Sequence, residues 1–233
     1  MYIYQNQDWA KFKWDSEKVL PVLTKAKMAQ GLLLGKMSTL GFALKEEAIL
    51  NTLTQDIIKS SEIEGEILDK DQVRSSIAKR LGLEIGGGVH VDRHIDGIVE
   101  MMLDATQKYD QPLNKYRLIG WHASLFPTGF SGMYEIKIGR FRDDKNGPMQ
   151  VISGAISKEK VHYQAPDADC LENEMTNFLT WINSSEDMDG ILKAGIAHLW
   201  FVTLHPFEDG NGRIARAITD MLLARAENTS QRF

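Results

Sequence analysis

Residues 205–216 read His205-Pro206-Phe207-Glu208-Asp209-Gly210-Asn211-Gly212-Arg213-Ile214-Ala215-Arg216. An apolar helix ends at the proline and delivers a histidine into a loop. That loop carries an acid and two glycines flanking an asparagine, and it opens directly into a new helix. The free N–H groups of a helix start bind anions, and glycines let a phosphate approach closely. Arg213 and Arg216 stand three apart and project from one side of the first turns. Two guanidiniums beside an anion hole suit a polyphosphate better than a lone carboxylate. Asp209 is a hard oxygen ligand placed to hold Mg²⁺ against those phosphates. His205 titrates naturally near neutrality and suits general-base duty. Together these residues point to phosphoryl or nucleotidyl transfer.

The stretch resembles the signature of the Fic family (filamentation induced by cAMP), H-P-F-x-[D/E]-G-N-G-R-x-x-R, with all nine specified residues present. The resemblance implies transfer of AMP from ATP to a Tyr, Ser or Thr hydroxyl of a target protein. On that reading His205 deprotonates the attacking hydroxyl and Asp209 holds Mg²⁺ on the α- and β-phosphates. Gly210, Asn211 and Gly212 form the anion hole, Arg213 and Arg216 hold the β- and γ-phosphates, and Phe207 anchors the loop in the core. Where kinase-type relatives carry lysine this chain has Gly212, which favours nucleotidyl transfer over phosphorylation.

Two further segments fit the resemblance. Family members carry a hairpin flap that pairs with the target backbone, and residues 138–166 occupy its place, with Val161, His162, Tyr163 and Gln164 as the clamping edge. Ser60-Ser61-Glu62-Ile63-Glu64-Gly65 is similar to the family's inhibitory motif, [S/T]-x-x-x-E-[G/N]. In such proteins the glutamate, here Glu64, pairs with the second arginine, here Arg216, and blocks the γ-phosphate position. The plainer reading of Ser60–Gly65 is a helix end with a stop glycine. Two other functions stay open: removal of AMP, alone or beside its addition, and a non-catalytic nucleotide-sensing module. UTP and other nucleotides also stay open as donors, and a homo-oligomer is among the assembly states left open.

The remaining histidines carry less. His90 and His94 have i, i+4 spacing but no third ligand nearby, so no metal role is assigned. His198 reads as a core histidine, and His122, beside Trp121, as packing and hydrogen bonding. Trp9, Phe12 and Trp14 are expected to bury against the N-terminal helices.

The elements that must position these groups are mostly helical. Periodicity predicts helices over 16–39 and 45–60, one capped by Asp69 with Val73, Ile77 and Ala78 inward, and one carrying Ile95, Ile98, Val99, Met102 and Leu103. Others follow over 114–126, over 170–182 with Leu171, Met175, Phe178 and Leu179 inward, on Leu192, Ile196, Leu199 and Val202, and on Ile214, Ile218, Met221 and Leu222. The exception is a β-hairpin, read from the Asn146-Gly147 turn signal, Met149–Ile152 and Val161–Tyr163. Gly86-Gly87-Gly88 marks a soft boundary. The expected fold is therefore mainly α: a Fic-type helical bundle with a hairpin flap (89–233), preceded by an N-terminal helical module (1–88) with the inhibitory motif at 60–65, like that of a bacterial subgroup.

Length and composition agree. The 233 residues have a formal net charge of −5, from 32 acidic and 27 basic side chains, so no global positive field advertises nucleic-acid binding. One cysteine, Cys170, excludes a disulfide framework and fits a reducing compartment. The apolar run 31–44 is broken by Lys36 and falls short of the ~20 residues of a membrane span. The start lacks a signal peptide, and a cytoplasmic location is expected. The final Ser230-Gln231-Arg232-Phe233 resembles the beginning of a segment that continues in relatives, so a clipped chain is expected.

Overall fold

The computed structural model describes residues 1–39, 41–83, 89–154, 158, 160–185 and 188–230. Gly86–Gly88 and residues 231–233, on which the boundary and the C-terminal reading rest, lie outside them. Eight helices are described: α1 (Ser16–Ser38), α2 (Phe42–Ile63), α3 (Lys70–Leu81), α4 (Arg93–Gln107), α5 (Lys115–Leu125), α6 (Ala168–Ile182), α7 (Gly190–Leu204) and α8 (Asn211–Glu227). Two short antiparallel pairs lie between α5 and α6: β1 (Phe130–Ser131) with β2 (Tyr134–Glu135), and β3 (Gln150–Ser153) with β4 (Lys160–Gln164). The fold is mainly helical, as the periodicity requires.

Local signals set most helix ends. The Asp69, Asn114 and Asp189 side chains accept from backbone N–H groups in the first turns of α3, α5 and α7. The apolar faces then converge on one core. Leu53, Ile57, Val73 and Ile77 from α2 and α3 belong to the same buried cluster as Ile98, Phe178, Phe201, Phe207 and Ile218. Helices α7 and α8 pack against each other across the motif loop, and α4 lies against α8. No described helix is long and apolar enough to cross a membrane.

The structure refines three expectations. On α7 the buried set is Ala194, Ala197, Trp200, Phe201, Thr203 and Leu204, while Leu199 is 42 % exposed. A helix that is apolar all round gives periodicity no face to choose. Trp9 and Phe12 do not bury against the N-terminal helices. They stack beside Trp200 of α7, at 6.1 and 5.7 Å between ring centres, and Trp14 is exposed. The Asn146-Gly147 signal is a real turn, with the Gly147 N–H donating to the Asp144 carbonyl, but it precedes the hairpin. Both strands of the hairpin, β3 and β4, follow it.

Candidate active site

Helix α7 ends at His205, whose backbone is left-handed (φ 49°, ψ 57°), a conformation costing a non-glycine residue about 1–2 kcal/mol. The bend turns the chain away from the helix axis and leaves the half-buried imidazole at the start of the loop. Nδ1 lies 3.3 Å from the Val202 carbonyl, which can only accept, so the proton sits on Nδ1 and the Nε2 lone pair is free. Burial, the largest cause, holds the imidazole below its ordinary pKa, opposed by the Val202 carbonyl and by the charges of Asp209 and Glu64. It is therefore neutral at physiological pH, the state a general base needs.

Past His205 the loop is nailed into the core. Phe207 is fully buried and stacks flat on His122, 4.2 Å between centres. Asn211 uses both ends of its amide on Phe207, accepting from its N–H (2.9 Å) and donating to its carbonyl (2.8 Å). Its side chain thus closes the loop, and only its backbone is left to the anion hole. The N–H groups of Asn211, Gly212 and Arg213 precede the first intrahelical bond of α8, from Ile214 to the Gly210 carbonyl (3.0 Å). The Asp209 carboxylate is fixed by the Ser131 hydroxyl and by the Gly210 N–H. Glu208, unspecified in the motif, accepts from Lys137 Nζ (2.7 Å) and the Lys137 N–H (2.9 Å).

The two arginines meet the end of α2. Glu64 caps that helix and Gly65 follows at φ 78°. The Gly65 N–H donates to Glu62 and the Glu66 N–H to Ser61, the paired bonds of a Schellman turn. Glycine at this left-handed position reverses the chain, so Glu64 and Glu66 both reach α8. Arg216 donates from Nε to Ser60 Oγ (2.7 Å) and from Nη2 to the Ser60 carbonyl (2.9 Å) and Glu64 Oε1 (2.7 Å). The same Glu64 oxygen lies over the start of α8: a Cβ on Gly212 would stand 2.2 Å from it. Any side chain at 212 would displace this carboxylate. The stop glycine and the pairing with Arg216 are thus one structure, not alternatives.

Residues 2–83 match a domain of unknown function, DUF4172, and residues 112–223 match the Fic/DOC family. Residues 112–223 are a Fic/DOC family domain. The chain is similar to "Protein adenylyltransferase Fic" of Aedes aegypti, 29 % identical over 199 residues (83 % of this chain, 36 % of the relative). The protein of that name from Culex quinquefasciatus is 28 % identical over 178 residues (74 % and 32 %). The chain thus spans about a third of the length of these curated relatives. Among solved structures, a Fic family protein from Desulfovibrio desulfuricans G20 superposes with a TM-score of 0.61 at 22 % identity, covering 93 % of this chain and 60 % of that one. Fic-1 from C. elegans (residues 134–508) gives 0.60 at 20 % identity, covering 91 % and 60 %. These likenesses establish the fold.

The Fic/DOC domain also uses residues that the motif reading passed over. Glu66 accepts from Arg213 Nη1 (3.1 Å) and pairs with His94 Nε2, whose hydrogen bond is the main cause holding the Glu66 carboxyl below its usual range. Arg213 is 6 % exposed and lies over the Phe126 ring at 5.1 Å. His94 does not face His90. Asp92 caps α4, which places His90 before the helix, while His94 reaches Glu66 and the Leu125 carbonyl. No cluster of three or more His, Cys, Asp or Glu able to hold a metal occurs among the described residues. His122 packs as expected, yet neither ring nitrogen has a hydrogen-bond partner, and burial pushes its pKa down to about 4. A cleft of about 510 Å³ opens beside these groups, bounded by Glu64, Glu66, Phe126, Ser131, Asp209 and Arg213.

The hairpin divides its four expected residues. Tyr163 donates to the Thr203 carbonyl (2.6 Å), with Tyr2 and Tyr4 edge-on to its ring, and Gln164 bonds Gln150 across the pair. Both anchor the hairpin. Val161 and His162 are exposed, and His162 is the extra residue at a β-bulge, its Nε2 2.6 Å from Ser153 Oγ. No sequence spacing announced Glu66, His94, Phe126, Ser131 or Lys137, because each reaches the motif from a distant element.

Proposed function

We propose that this chain is an autoinhibited protein AMP-transferase that moves AMP from ATP to a hydroxyl of a target protein. The observation that carries the reading is the Glu64 carboxylate. It stands where a phosphate would, at the start of α8, and it takes the Nη2 donor of Arg216. With Glu66 on Arg213, each guanidinium of the signature gives a donor to a carboxylate. Removing Glu64 frees the helix start for the α-phosphate, with the backbone of Gly210, Asn211 and Gly212 around it. Arg213 and Arg216 then take the outer phosphates. Asp209, fixed by Ser131, fits a Mg²⁺ that arrives on the triphosphate, because Mg²⁺ is often held by one carboxylate plus substrate phosphates. The ion would neutralise phosphate charge there. His205 Nε2 accepts the proton of a Tyr, Ser or Thr hydroxyl, which attacks the α-phosphorus as pyrophosphate leaves. The exposed edge at Val161 and His162 would align the target strand. On this view the N-terminal module, 1–88, is the regulator of the core, and both work in the cytoplasm.

The test is labelled ATP with Mg²⁺ on purified protein, then on a lysate with each nucleotide as donor. Glu64→Gly is expected to bind ATP about 10–100-fold tighter, the equivalent of one charge-assisted contact, and to transfer label. Adding His205→Ala should abolish transfer, a loss of at least about 10²-fold, while leaving binding intact. Tight ATP binding without transfer by Glu64→Gly would instead favour a nucleotide-sensing module. The Glu64 oxygen beside the anion site is also placed to orient a water, which favours AMP removal as a second activity. Loss of AMP from a pre-modified target only when Glu64 is intact would establish it.

A further inference from the structure

Arg142 lies outside the signature, in the segment between the two strand pairs, and its side chain is 1 % exposed. Its donors reach three partners. Nε donates to the His205 carbonyl (2.8 Å), Nη2 to the Pro166 carbonyl just past β4 (2.5 Å), and Nη1 to Asp144 Oδ1 (2.7 Å). Its backbone N–H donates to the Pro206 carbonyl (2.9 Å). Asp144 in turn accepts the Ala168 N–H at the start of α6 (2.6 Å). A planar guanidinium is the side chain that can serve several fixed acceptors at once, since lysine's ammonium is a point donor. The fork therefore grips both the left-handed histidine and the base of the hairpin.

We infer that Arg142 is the positioning residue that holds His205 in its left-handed backbone conformation and fixes it relative to the hairpin on which a target strand would lie. The inference rests on the transfer reading for its kinetic consequence, not for its geometry. His205 has one backbone tie through its N–H, to Phe201, and Arg142 supplies the tie on its carbonyl. The Arg142 backbone N–H holds the next carbonyl, that of Pro206, so the side chain's own share is the His205 carbonyl. Gly212, Arg213 and Arg216 lie on α8, whereas the Arg142 side chain donates to His205, Asp144 and Pro166, so histidine aim and nucleotide affinity should separate.

The experiment uses the full chain carrying Glu64→Gly, with Arg142→Lys and Arg142→Gln added singly. Arg142→Lys is expected to melt within a few degrees of its parent, bind ATP within about threefold, and transfer label at least tenfold more slowly. A side chain that merely stabilised the fold would lower binding and transfer together. Histidine ring NMR gives a readout that needs no activity. Both variants should move the His205 resonances and leave those of His198 in place. Arg142→Gln should also raise the His205 pKa, because a cation is removed while Glu64 at the end of α2 and Asp209 in the loop still face the ring. If Arg142→Gln does not fold, Arg142→Lys decides. An unchanged transfer rate and unchanged His205 resonances in a folded Arg142→Lys would overturn the inference, as would a parallel loss of ATP affinity. If the Glu64→Gly parent itself transfers nothing, the proposed activity fails and the NMR arm alone judges Arg142.

Discussion

Helices α8 and α1 are both long, yet they belong to the molecule in opposite ways. Helix α8 buries nine of its 17 residues, including Asn211 and Arg213 of the signature. Helix α1 has 23 residues and buries none, leaving Leu20, Val22, Met28 and Leu32 more than 60 % exposed. Among its ties are polar bridges from Lys27 to Asp189 and from Gln30 to Glu227. The difference shows where precision is required. Groups that must meet a phosphate within tenths of an ångström sit on an element fixed from several sides. An element with no buried residue can shift without disturbing them.

That contrast can be broken by substitution. The largest effect is expected at Phe207, which is fully buried between His122, Phe141 and Phe201. Phe207→Ala should cost about 3–5 kcal/mol, read as a lower urea midpoint, because the loop loses its anchor and a cavity remains. Next is acid. His122 takes up its proton near pH 6.5 in the unfolded chain but only near about 4 in the folded one. Stability present above about pH 6.5 should therefore be lost as the pH falls towards 4, by about 3 kcal/mol in all. His122→Phe, which cannot titrate, should flatten the melting profile across that window, and an unchanged profile would place the acid sensitivity elsewhere. The smallest effect belongs to α1. Leu32→Ala is expected to change stability by no more than about 0.5 kcal/mol. A loss of about 2 kcal/mol that grows with protein concentration would show instead that α1 is covered in an oligomer.

The same contrast explains what could be read in advance. On α4 and α8 the apolar period selected Ile95, Ile98, Ile214 and Ile218, all buried, because one face meets the core and the other water. On α7 it found the helix but selected no face, because nearly every position is apolar. On α1 it predicted the helix but not that its apolar side would stay open, since burial is a property of neighbours. Trp9 and Phe12 illustrate the point again: aromatic content announced a contact, and only the fold chose Trp200.

The sequence by itself determined the signature from His205 to Arg216, the cap at Asp69, the stop at Gly65, and the mainly helical class. These are local: each depends on residues within a turn or two, where backbone hydrogen bonding and side-chain chemistry leave few choices. Tertiary structure alone decided that Glu66 and His94 hold Arg213, that Arg142 grips the His205 carbonyl, and that Asn211 turns inward to Phe207. Apart from that last pair, these partners are 28 to 147 positions apart along the chain. Such contacts are set by how helices pack, and no spacing rule spans those distances.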